Sequence, residues 1–130
     1  MEKKSLVLCD TNVIIEFYKE NPRVIKNLHD IGQQNIAVSI VTSGELLYGA
    51  LNKKELNQIK SDLEHLQIIH LTPEIGECFT QLMIDYSLSH RLSLPDGLIA
   101  ATALTENILL YTHNLKDFKY IKGIQVYKEK

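Results

Sequence analysis

An α/β fold of three layers, with a mainly parallel sheet of about five strands between helices, is predicted by three features of this 130-residue chain. Short runs rich in Ile, Leu and Val alternate with longer segments of helical periodicity. No internal repeat, low-complexity tract or linker interrupts that alternation. Parallel neighbours need a crossover connection, so strands separated by helices imply a parallel sheet covered on both faces. The length fits residues 1–130 as a single domain, and 45% apolar against 23% charged residues is ordinary for a chain that folds around one core.

Taken in order, Ser5–Cys9 (SLVLC) is the first predicted strand, followed by helices over Asn12–Lys19 and Arg23–Asp30. Ile36–Ser39 (IAVS) is the second strand, followed by helices over Ser43–Asn52 and Lys54–Leu66. On the last of these, Leu56, Ile59, Leu63 and Leu66 form a narrow apolar seam. The third strand, Gln67–Leu71, leads through the helix start Thr72-Pro73-Glu74 into a helix over Glu74–His90. There Ile75, Phe79, Leu82, Met83 and Tyr86 repeat at helical spacing as one core-facing stripe. A helix over Gly97–Glu106 and strands over Ile108–Tyr111 and Ile124–Tyr127 complete the order, and most of these strands read as buried on both faces.

Composition narrows the function. Lys plus Arg is 14 against 16 Asp plus Glu, a net charge of -2, so a polyanion would have to be bound by local rather than global charge. Asp10 ends the apolar run Leu6–Cys9 too early for a signal-peptide core, and no stretch approaches the ~20 apolar residues of a membrane span. The two cysteines, Cys9 and Cys78, each fall within an apolar pattern and read as small buried hydrophobes, which suits a reducing cytoplasm. His29, His65, His70, His90 and His113 lack the spacing of a zinc site, and neither a Walker loop nor a dinucleotide-binding glycine motif occurs.

Acids and amides collect at the strand-to-helix junctions. Asp10 follows the first strand, Glu45 falls in the first turn of the helix after the second, Asp96 opens the helix in LPDGLIAA, and Asn114 and Asp117 follow the fourth strand. In a parallel sheet these junctions share one edge, where ligands bind. Ionised together without partners they would repel, and a hard cation such as Mg²⁺ or Mn²⁺ is the simplest remedy. Each residue also has a capping role open to it: Asp10 and Asn114 as N-caps, Thr42 with Glu45 as a capping box, and Asp96 as a helix start.

In order along the chain stand Asp10-Thr11-Asn12, a Thr-rich turn into Glu45-Leu46, Asp96-x-x-Ile99-Ala100-Ala101, and Thr112-x-Asn114-x-x-Asp117-Phe118. From Leu6 to Val126 this pattern resembles a PIN-domain ribonuclease of the VapC type, the toxin half of a toxin–antitoxin pair. The resemblance implies a metal-dependent endoribonuclease with Mg²⁺ or Mn²⁺ as cofactor. RNA would be cut by in-line attack of an activated water, leaving 5′-phosphate and 3′-hydroxyl ends. It assigns Asp10, Glu45 and Asp96 to the metal, with Asp117 or Asn114 completing the shell. Asn12 would orient Asp10, and Thr112 would contact substrate or water. It further implies a homodimer, and an antitoxin seated in a groove of the helices over 43–52 and 54–66, with Tyr48 and Leu51 lining it.

Once Asp10, Glu45, Asp96 and Asp117 are set aside, the remaining acids are outnumbered by the basic residues. Lys53, Lys54 and Lys60 could steer a phosphate backbone or simply form a solvated helix face, while His90 and Arg91 lie just ahead of the Asp96 turn. His113 could touch substrate or serve as a plain loop residue. Two other readings remain open: a PIN-like binding module without hydrolysis, and a haloacid-dehalogenase-like phosphatase. The phosphatase class typically shows Asp-x-Asp after the first strand, where this chain has Asp10-Thr11-Asn12.

Overall fold

The computed structural model describes residues 5–130. The opening stretch 1–4, which entered the signal-peptide reading, lies outside the described residues. Four strands, β1 (Val7–Cys9), β2 (Ile36–Ser39), β3 (Gln67–Ile69) and β4 (Leu109–Tyr111), form one sheet in the order β3-β2-β1-β4, and every pairing is parallel. Between them run α1 (Thr11–Tyr18) and α2 (Pro22–Ile31), then α3 (Ile40–Tyr48) and α4 (Lys53–Leu63), then α5 (Pro73–His90) and α6 (Leu94–Glu106). The chain steps outward from β1 to β3, then returns to place β4 on the other side of β1. The order therefore reverses between β1 and β4, which makes their carboxyl ends the topological switch point, the position at which open α/β sheets bind ligands.

Alternation along the strands divides the core into the predicted layers. Leu8, Ala37 and Leu110 face one cluster with Ile75 and Leu82 of α5 and Ile99, Ala100 and Ala103 of α6. Val7, Cys9, Val38 and Tyr111 face the other, with Val13 and Ile14 of α1, Val24 and Leu28 of α2, and Leu63 of α4. The α5 stripe packs as expected, with Phe79, Met83 and Tyr86 half-buried against the first cluster. In the α4 seam, Leu63 is buried and Ile59 and Leu66 pack on the second cluster, so the seam serves its own domain. Both cysteines are free, Cys9 buried and Cys78 half-buried. Among the described residues, no helix is long and apolar enough to cross a membrane.

Helices α5 and α6 approach closely because Gly97 has no side chain. A Cβ there would lie 3.1 Å from both Met83 Sδ and Phe79 Cε1. We expect Gly97→Val to cost about 1–3 kcal/mol by overpacking, read as a lower urea midpoint. An unchanged midpoint would mean that the two helices part at no cost.

Three expectations need correction. The fifth strand, Ile124–Tyr127, is reduced to a single bridge between Val126 and Leu110, flanked by Leu110 N–H to Gln125 O and Tyr127 N–H to Leu110 O, each 2.8 Å. The segment leaves the sheet because the fully buried Asn27 of α2 captures it: Asn27 Oδ1 accepts from the Tyr127 hydroxyl (2.8 Å) and from Lys130 N–H (2.9 Å). Helix α3 begins at Ile40, not Ser43, because Ser39 at the end of β2 is itself the cap and accepts from Thr42 N–H at 3.1 Å. Glu45 therefore stands in the second turn, and no Thr42–Glu45 capping box forms. Helix α6 likewise begins three residues early, with Ser93 as cap, Pro95 in its first turn and Asp96 third.

Candidate active site

Asp10 is the most constrained of the acids. It leaves β1 in extended conformation, caps α1, and anchors its own N–H on Tyr111 O of β4 at 2.8 Å. Its side chain is only 5% exposed, and both oxygens are engaged: Oδ1 accepts from Thr11 N–H (2.7 Å) and Oδ2 from the Thr112 hydroxyl (2.8 Å). Thr112 Oγ1 in turn accepts from Asn114 N–H at 3.0 Å. The residue just past β4 thus fixes the carboxylate at the end of β1 across the switch point.

Glu45, exposed on α3, is held by a contact that the sequence reading did not anticipate. The Thr11 hydroxyl donates to Glu45 Oε1 at 2.6 Å and lies 2.9 Å from the hydroxyl of the fully buried Thr42. Thr11 thereby links the Asp10 turn to α3. Its place between Asp10 and Asn12 was the only signal for it, and Thr42 carried a capping signal that α3 does not use. Asp96 is half-buried near the α6 N-terminus, where Ser93 Oγ accepts from its N–H at 3.2 Å. Asp117 closes a single 3-10 turn (Leu115–Asp117) after β4, with its N–H on Asn114 O at 2.9 Å and fully buried Phe118 anchoring the turn.

Electrostatics shows that the four acids share one region. Burial pushes the Asp10 carboxyl upward; the bonds from Thr112 and Thr11 oppose it, and the charges of Glu45 and Asp117 add to it. Asp96 is pushed up to about 6, first by burial and then by Asp10 and Asp117, with Ser93 opposing and Glu45 adding a little. Among the described residues, no Lys or Arg forms an ion pair with any of the four. Such a set of hard oxygen donors without a compensating cation has the chemistry of a divalent-metal site. Among the described residues, no three ligating side chains already form a metal-binding group.

The other candidates fall differently. Asn12 is not among the groups that hydrogen-bond Asp10 here; its Oδ1 accepts from His113 N–H at 3.5 Å, tying α1 to the loop after β4. Asn114 contributes its backbone to Thr112, while its exposed side chain makes no capping bond. His113 is held by Glu129, Nε2 to Oε2 at 2.9 Å, and lies edge-on to Tyr111. Lys53 and Lys54 are exposed at the start of α4, as is Lys60 further along it. Tyr48 and Leu51 are 93% and 85% exposed, but the open apolar cavity of about 670 Å³ lies elsewhere, between α1, α2 and α4, lined by Ile14, Phe17, Ile25, Leu28 and Leu66.

A family model described as PIN domain matches residues 7–124. The chain belongs to the PIN-domain family. Within that family it is of the VapC type: it is 32% identical over 126 residues to Ribonuclease VapC2 of Rickettsia felis, an alignment covering 92% of this chain and 94% of that protein. Ribonuclease VapC1 of Methanocaldococcus jannaschii is 29% identical over 131 residues, covering 97% and 90%. Among solved structures, a toxin–antitoxin complex from Klebsiella pneumoniae contains a chain that superposes with a TM-score of 0.79 at 30% identity, covering 95% of this PIN domain and 99% of that chain. The three-layer parallel architecture is thus that of the family.

Proposed function

We propose that this PIN domain is a metal-dependent endoribonuclease and the toxin of a toxin–antitoxin pair acting in the cytoplasm. One observation supports the reading: the charges of Asp10, Glu45, Asp96 and Asp117 act on one another around the buried Asp10, which Thr112 holds in place. A Mg²⁺ or Mn²⁺ ion bound by Asp10, Glu45, Asp96 and Asp117 would supply a water nucleophile active at neutral pH and neutralise charge on the phosphate.

The protein's own part is positioning. Thr112 and Thr11 N–H fix both oxygens of Asp10, so this carboxylate needs no rearrangement. The Thr11 hydroxyl aims Glu45 from α3 toward the same region. Exposed Glu45 and half-buried Asp96 and Asp117 have the rotamer freedom to close on an ion from their side. The α6 N-terminus, where Asp96 sits, favours the charged carboxylate that an ion requires. The antitoxin's apolar segment finds its natural seat in the cavity between α1, α2 and α4, where Phe17 and Ile25 are about two-fifths exposed.

The test is cleavage of a mixed transfer and ribosomal RNA pool by purified protein with Mg²⁺ or Mn²⁺, with and without chelator, beside Asp96→Asn from the same preparation. Discrete fragments that disappear with chelator and in the variant are expected. An RNA pool left intact by folded, metal-loaded, partner-free protein would overturn the proposal.

A further inference from the structure

Near the acids stands a pair of aromatic rings, one of them, Tyr120, half-buried against the first core cluster and the other, His90, exposed. His90, the last residue of α5, and Tyr120, in the loop after Asp117, are stacked with centroids 4.0 Å apart and planes 9° from parallel. Tyr86 braces both edge-on, 5.1 Å from Tyr120 and 5.8 Å from His90, and its hydroxyl accepts from Lys122 N–H at 3.2 Å. Buried Phe118 and Ile121 fix the loop on either side of Tyr120, and the Ser89 hydroxyl lies 2.8 Å from His90 Nδ1. The pair is therefore rigid. It is also close to the site: His90 lies three residues before Ser93, the cap of the Asp96 helix, and Tyr120 three after Asp117. Burial raises the proton affinity of the Tyr120 phenol, and the charges of Asp96 and Asp117 add to it.

One ring face of His90 is covered by Tyr120, and Tyr86 meets it only edge-on, while the residue as a whole is exposed. Arg91, Lys119 and Lys122, all exposed, flank the two rings in sequence. A rigid ring with an open face among cations is the combination by which proteins hold single-stranded nucleic acid, cations following the backbone and bases stacking on aromatic faces. We propose that the His90–Tyr120 pair is the platform on which an unpaired RNA base stacks next to the scissile phosphate, so that the enzyme selects single-stranded or looped RNA at this position. A base already paired in a duplex has no free face to offer. The inference rests on the ribonuclease reading and deepens it by naming the substrate feature recognised.

The test starts from a short RNA whose cleavage position has been mapped with the parent protein. The base is then removed, one position at a time, on either side of that bond, and kcat and KM are measured for the parent, His90→Ala and His90→Phe. At one position, loss of the base should lower the parent's kcat/KM about tenfold, mainly through KM. His90→Ala should lose a similar factor on intact RNA and lose nothing further on the abasic RNA, while His90→Phe retains the response to the base. The ratio of intact to abasic substrate within one variant is independent of how much of that variant is folded. A merely structural role for His90 leaves this ratio unchanged. If His90→Ala shows the parent's full abasic penalty, or if no position shows a penalty, the platform is wrong and the ribonuclease stands. If the parent cleaves no RNA at all, both readings fall.

Discussion

Asp10→Asn should lower RNA cleavage about a thousandfold, since an ion's transition-state stabilisation of several kcal/mol corresponds to about three decades in rate. The fold should survive. The amide is the size of the carboxylate, its oxygen can still accept from Thr11 N–H, and its nitrogen can donate to Thr112 Oγ1 where Oδ2 now accepts. Activity and stability therefore part company at this residue. Single-turnover cleavage beside a thermal melt checks both at once, and a variant retaining a tenth of parental activity would remove Asp10 from the reaction.

The second large effect concerns stability without metal. With the folded-state value of Asp96 near 6, above its ordinary 3.8, the folded chain holds that proton more tightly than the unfolded chain does. The associated stabilisation is complete below about pH 4 and is lost as pH rises through about 6. A shift of this size on a fully buried group would correspond to about 3 kcal/mol; solvent screening of a half-exposed carboxyl reduces it to about 1–2 kcal/mol. Asp96→Asn stays neutral at every pH, so in chelator it should be more stable than the parent by about 1–2 kcal/mol at pH 7, with the gap closing near pH 4. Glu129, whose carboxyl Tyr111, His113 and Arg23 hold low against the opposing effect of burial, responds in the opposite sense but cancels between the two proteins. Adding Mn²⁺ at pH 7 should raise the parent's melting temperature and leave the variant's nearly unchanged. A gap independent of pH would show that Asp96 carries no such load.

The fold class was legible because the strands are short, apolar and separated by helical periods, and the acids were legible because Asp10 and Asp117 follow strand ends while Glu45 and Asp96 stand in the opening turns of helices. What could not be read depends on distances that no local pattern encodes. The Thr-rich stretch Ile40-Val41-Thr42 reads as a turn ahead of a helix at Ser43, yet Ser39, paired with the last residue of β3, already caps the helix. The alternation Ile124-Gln125-Val126 is a sound strand signal, and only the buried amide of Asn27, about a hundred residues earlier, draws the segment away after one bridge. Thr11 looked like a spacer between two functional residues until α3 brought Glu45 to its hydroxyl. The apolar cavity needed three helices placed relative to one another before it existed at all.

The hydrogen bond between Thr112 and Asp10 also sets a schedule. Its partners are 102 positions apart, and β4, which carries Thr112 into place, pairs directly with β1. During synthesis β1 to β3 with α1 to α4 are available long before β4, yet Asp10 lacks its Thr112 partner and Asp117 is absent until residues 109–117 have emerged. Contacts of such long sequence separation form late, because loop closure must come first. A nascent chain of this enzyme therefore carries most of its acids but no assembled site, and the RNA of the ribosome making it faces a finished nuclease only after nearly the whole domain has been released.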